Sequence, residues 1–224
     1  MKIQVEFLSG GLIFPEVEGF IKGIIERHAE KAMAVLPFEN DFIIFSVTFS
    51  EADEIKAFAQ KTDLIKIDIN PKYFENANPK REETIEQLIY IIYHEMHHSC
   101  RGYVGSLPAG QEHILINSII SEGLADYFVR ELYPSEHVLE KTNFNLAEIK
   151  DWINRVGEVM WNKESDNDSW LYGGKGKPEM LGYKIGRYIM EKIKEKNPDL
   201  DLIELVKAPP EKIIKLSGID FGNI

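Results

Sequence analysis

The chain has 224 residues, 44% of them hydrophobic and 28% charged, with a formal net charge of −11. That composition fits a globular protein with one good core or two small lobes, and the negative balance argues against nucleic acid or an anionic membrane surface as a partner. The single cysteine, Cys100, excludes an intramolecular disulfide. No apolar run approaches the roughly 20 residues of a spanning helix, and the opening residues lack a signal-peptide pattern, so the expected setting is cytoplasmic.

Ile3, Val5 and Phe7 alternate with polar residues before Ser9-Gly10-Gly11, which predicts a first strand. From Glu16 to Leu36 the apolar positions Val17, Phe20, Ile21, Ile24 and Ile25 follow helical spacing until Pro37. Residues 42–49 form a β-branched and aromatic run, and 64–69 alternate cleanly before Asn70-Pro71; both read as strands. Glu82 to Ser99 reads as a helix with Ile85, Leu88, Ile89, Ile92 and Met96 toward a core. After a glycine-rich loop at 101–110 the pattern is helical at roughly 111–132, 135–141, 146–163, 179–196 and 209–216. Strands with a first helix, a histidine-bearing helix, then helices alone make an α+β pattern. The natural split falls near Gly102–Gly110, giving a sheet sublobe of roughly 1–105 and a helical sublobe of 106–224, with a cleft expected between them.

The chemistry concentrates at His94-Glu95-Met96-His97-His98. On a helix, positions i and i+4 lie one above the other, so His94 and His98 can hold one metal ion. Glu95, rotated by about 100°, stands beside the open coordination position, where a carboxylate can take a proton from a metal-bound water. His97 is offset from that face and reads as a neighbour rather than a ligand. A zinc site of this kind requires a third protein ligand, and the expected one is Glu122, set among Ile119, Leu124 and Phe128, where an unpaired carboxylate is unfavourable. The bland alternative is a solvated glutamate. Asp126, one turn on, is expected to accept the second N–H of a ligating imidazole, most naturally that of His94, unless it lies on an exposed stripe.

His94-Glu95-x-x-His98 followed by Glu122-x-x-x-Asp126 resembles the gluzincin clan of zinc metallopeptidases, the thermolysin-like enzymes. The fuller strings His94 to Arg101 and Glu122 to Phe128, with Leu181-Gly182-Tyr183-Lys184-Ile185-Gly186, resemble the predicted Zn-dependent protease family with domain of unknown function 2268. The likeness runs over about residues 60–195. It implies a zincin-like fold in a single catalytic domain, Zn2+ bound by His94, His98 and Glu122, and peptide or protein substrates. Tyr183, in a Tyr-x-x-Gly pattern similar to that of gluzincin aminopeptidases, is then the oxyanion donor; the alternative is an ordinary packed tyrosine.

Residues 170–178 are aromatic and glycine-rich, which suits either a lid over the cleft or a plain surface loop. Arg101 suits either a substrate contact or a helix C-terminal cap. The resulting expectation is a zinc endopeptidase in which Glu95 activates the zinc-bound water and a strand at 42–49 or 63–69 pairs with the substrate backbone. An aminopeptidase is the nearest alternative and would require a site for the free α-amine. A non-catalytic zinc-binding or regulatory module is another, although the intact Glu95 speaks against a decayed enzyme. A structural zinc site would call for four closed ligands.

Overall fold

The computed structural model describes residues 1–8, 14–105, 114–134, 145–163 and 166–221. The fold is α+β, with one small mixed sheet and helices. Two compact units divide the chain, Met1–Leu107 with Leu132–Val138, and Pro108–Glu131 with Leu139–Ile224.

In the first unit, β1 (Lys2–Leu8), β2 (Phe42–Phe49), β3 (Lys56–Lys61) and β4 (Leu64–Ile69) form a sheet in the order β1-β2-β4-β3. β1, β2 and β4 run parallel, and β3 returns antiparallel to β4 through a two-residue turn at Thr62-Asp63. Period-two alternation puts Ile43, Phe45, Val47, Ile65, Ile67 and Ile69 on one buried face. α1 (Pro15–Met33) packs on β1, and α2 (Arg81–Arg101) packs on β3 and β4 and against α1. The opposite face keeps Leu8, Phe42 and Phe58 exposed.

This order corrects one expectation. Residues 42–49 and 63–69 coincide with β2 and β4, which are both interior, so their backbone groups are committed on either side. Among the described residues, β1 and β3 are the edge strands. β3 itself was not expected, because small residues at Ala57 and Ala59 give its alternation little hydrophobic contrast.

His28 of α1 is buried, with its Nδ1 3.1 Å from the Tyr93 hydroxyl and its ring against Tyr133. Burial, with Lys31 and Arg27 adding repulsion, lowers its pKa to about 4. The unfolded chain protonates His28 near pH 6.5 and the folded one only near 4, so its contribution is complete above 6.5 and is lost as pH falls toward 4. Replacing it in His28→Gln should flatten the fall in urea midpoint between pH 6.5 and 4; an unchanged slope would mean that another group carries the acid sensitivity.

The second unit is helical: α3 (Leu115–Leu132), α4 (Leu146–Gly157), α5 (Asn167–Tyr172), α6 (Leu181–Lys196) and α7 (Pro210–Ser217). Ile149, Ile153 and Val156 of α4 meet Ile185, Ile189 and Ile193 of α6 and Ile119, Ile120 and Leu124 of α3 in one core, each side chain contributing about 1.5–3 kcal/mol by burial. Asn145 and Asp166 cap α4 and α5 by accepting from Ala147 N and Ser169 N. α4 ends at Gly157, short of the expected 163; the Phe221 carbonyl comes so close there that a Cβ would overlap it. The expected helix at 135–141 lies outside the described residues. Among the described residues, no helix is long and apolar enough to cross a membrane.

Candidate metal centre

α2 has the macrodipole pattern of a stable helix, with Glu82 and Glu83 in its first turn and Arg101 in its last. Its end is fixed one turn past His98. Gly102 takes φ 83°, and the N–H groups of Gly102 and Tyr103 return to the carbonyls of Ser99 and His98. Every residue from Ile92 to Cys100 is buried, a helix enclosed on all sides. Within it the Nε2 atoms of His94 and His98 stand 2.9 Å apart, with Tyr90 stacked on His94 and Tyr103 against His98. Burial of Arg101 lowers its guanidinium pKa to about 10.

Glu95 is also buried, and its Oε2 accepts a 2.7 Å hydrogen bond from the main-chain N–H of Ala59 on β3. The Ala59 carbonyl accepts from Gly105 N at 2.8 Å. A buried carboxylate is tolerated when it is hydrogen-bonded in this way.

In the second unit, Ser121 to Asp126 are buried without a break along α3. Gly123 meets Gly186 of α6 backbone to backbone: a Cβ on Gly123 would lie 2.4 Å from the Gly186 carbonyl carbon, and one on Gly186 would lie 2.3 Å from Ile119 O. Gly182 abuts Leu171, whose Cδ2 and Cα would lie 2.6 and 2.9 Å from a Cβ there. The glycines spaced by four thus serve helix contact, leaving Tyr183 half-buried beside them with its ring 6.1 Å from Tyr172. Asp126 Oδ2 accepts from Arg130 Nε at 3.0 Å, an ion pair with a nearly inaccessible carboxylate.

Among the described residues, one group of three side chains could hold a metal ion: His94, His98 and Glu122, all buried, each offering one ligand atom, with these atoms all within 4.8 Å of one another. Two imidazole nitrogens and a carboxylate oxygen suit zinc, whose nitrogen ligands at about 2.0–2.1 Å in tetrahedral array stand roughly 3.3–3.4 Å apart. The observed 2.9 Å between the two Nε2 atoms differs from that by a few tenths of an ångström, so the residues fit the ion.

Residues 23–215 match the family described as predicted Zn-dependent protease (DUF2268). The chain belongs to this family. The uncharacterized protein YjaZ of Bacillus subtilis (strain 168) is 32% identical over 108 residues, covering 46% of this chain and 40% of YjaZ. The match thus spans less than half of that relative. No solved structure matches the chain.

For this DUF2268 chain, the structure brings together His94, His98 and Glu122 and keeps Glu95 beside the two histidines on α2. It gives Asp126 a partner in Arg130, four residues on, which the sequence analysis does not name. Residues 173–178 form a tight turn tied to α5. Gly174 and Lys177 exchange backbone bonds, Lys175 pairs with Asp166, and Lys177 donates to Ser169 Oγ over the Trp170 ring. Sequence reasoning missed Ala59, whose contribution is a backbone N–H. The available signal was the hairpin spacing of 56–61 ahead of the clear strand at 64–69.

Proposed function

We propose that this chain is a zinc-dependent endopeptidase of gluzincin type, a single zincin-like catalytic domain acting on peptides or proteins in a reducing, cytoplasmic setting. The observation that carries the reading is the grouping of two imidazole nitrogens and one carboxylate oxygen from His94, His98 and Glu122. Family membership agrees with it. When bound there, zinc would supply Lewis acidity toward the scissile carbonyl and the attacking water.

His94 and His98 would hold the ion with an imidazole nitrogen each, and Glu122 would complete the protein ligands with a carboxylate oxygen. Glu95 takes the proton of the attacking water at Oε1, the oxygen not engaged by Ala59, and later passes it to the leaving amine. Asp126 orients a ligating imidazole through an oxygen beyond its bond to Arg130. Tyr183 donates its hydroxyl to the developing oxyanion. An extended substrate pairs with the outer edge of β3, the edge strand on which α2 packs.

Elemental analysis of the purified protein beside Glu122→Ala and Glu122→Gln tests the ligand set. Wild type should carry about one zinc per chain, and both variants should bind it at least ~100-fold more weakly, beyond the 10–100-fold typical of groups that only support a ligand. Equal zinc content at limiting free metal would remove Glu122 from the site.

A further inference from the structure

We infer that the main-chain N–H of Ala59 is the positioning group of Glu95: edge strand β3 holds one carboxylate oxygen, so that the other alone is presented for proton transfer. The inference deepens the peptidase reading and rests on it for its catalytic half. Its structural half stands on β3, α2 and the residues after α2.

Ala59 has an unusual position in the sheet. Its partner across β4 is Ile65, yet its N–H goes to Glu95 and its C=O accepts from Gly105. Both groups therefore point away from β4, which makes Ala59–Ile65 a non-hydrogen-bonded pair of the antiparallel ladder. The register shifts between Ala59 and Lys61, the kind of irregularity that re-aims a strand next to a site. Without the bond to Glu95, this N–H would be a donor on an inner stretch of edge, in a residue only 4% exposed.

The contact is charge-assisted, and at 2.7 Å its length is that of a strong N–H to carboxylate bond. It is also held from behind. Gly105, three residues past the cap of α2, donates to the Ala59 carbonyl at 2.8 Å, so the peptide planes on both sides of Ala59 are anchored. Glu95 has three rotatable bonds and sits on a helix packed against β3. A fixed donor selects one rotamer and one oxygen before any substrate arrives, which is the preorganisation that proton transfer requires.

The same two bonds remove Ala59 from the edge open to a peptide. By the alternation of the ladder, Ala57 is the next residue whose N–H and C=O face outward. A substrate strand therefore engages β3 at Ala57 and reaches Glu95 only from that side.

Two measurements decide the matter. In protein labelled with 15N-alanine, with or without zinc, the Ala59 amide should be protected from exchange, and Glu95→Ala should speed that exchange at least tenfold while leaving Ala125 unchanged. An Ala59 exchange rate that does not respond to Glu95→Ala overturns the inference whatever the enzyme does. In the zinc-loaded enzyme, replacing Ala59 by lactic acid puts an ester oxygen where the N–H was; it removes no ladder donor or acceptor toward β4 and only weakens the Phe58 carbonyl as an acceptor, a change that is the same with and without Glu95. We expect kcat to fall about 10–100-fold with KM within twofold and zinc content unchanged, and the loss to disappear in a Glu95→Gln background. Wild-type kcat in the ester protein, or an equal loss with and without Glu95, overturns the positioning role. If wild type itself neither binds zinc nor cleaves peptides, the peptidase reading fails, and the exchange measurement still decides the Ala59–Glu95 bond.

Discussion

Glu95→Gln should lower kcat for cleavage of blocked, internally quenched peptides by roughly 10²–10⁴-fold, the range of a lost general base, with zinc content unchanged. Glutamine matches glutamate in shape and keeps a carbonyl oxygen that can accept the Ala59 N–H, so the packing of α2 on β3 survives the change. It cannot take up a proton near neutral pH. His94 and His98 keep their mutual arrangement, since neither depends on the carboxylate for its position on the helix. Single-turnover hydrolysis together with elemental analysis separates the two effects. Full activity in Glu95→Gln would end the proposed mechanism, and loss of zinc along with activity would recast Glu95 as part of the binding site.

The second large effect is expected from a single methyl group. In Gly186→Ala the new Cβ would sit 2.3 Å from Ile119 O and 2.8 Å from Gly123 Cα, both backbone atoms that cannot move without their helix. Alanine gains up to about 1 kcal/mol of helix propensity over glycine. Overpacking of this kind costs about 1–3 kcal/mol and occasionally more, and contact with backbone places it at the upper end. A net loss of about 2–3 kcal/mol should lower Tm by roughly 4–12 °C for a chain of this size. Glu122 directly precedes Gly123, so any separation of α3 from α6 carries the carboxylate with it, and zinc affinity should fall together with Tm. A variant that melts at or above wild type would show that the two helices do not touch through their backbones.

Much of this was legible in the sequence, for reasons that can be named. α2 combines an apolar stripe, an acidic first turn and a glycine stop, and β1, β2 and β4 carry strong period-two contrast. Glu122 stood out because a carboxylate inside an apolar helical stretch demands a partner. The rest was hidden by the nature of the signals. β3 alternates alanine with lysine and phenylalanine, so its buried face is made of the smallest side chains and leaves little periodicity. Sheet order depends on pairings between distant segments, and placing β4 between β2 and β3 requires tertiary information that no local window contains. That order turns the two clearest strands into interior ones. The Ala59 contact is further out of reach, because the N–H belongs to the backbone and any residue other than proline would bring it. The Asp126–Arg130 pair shows the converse case: its spacing of four is visible in the sequence, but spacing alone does not decide between an arginine and an imidazole as the partner of a buried carboxylate.

The path of the chain through its two units limits how it can be dissected. The first unit does not end at Leu107; the chain leaves it, builds α3 in the second unit, and comes back at Leu132. Tyr133, which belongs to that return, meets the edge of His28 and stacks on Tyr93, which is one helical position from the first histidine of α2. A gene fragment stopping at 107 therefore encodes a sheet unit with an aromatic face left open, and the complementary fragment takes Tyr133 away with the helices. No single truncation separates this protein into two whole pieces.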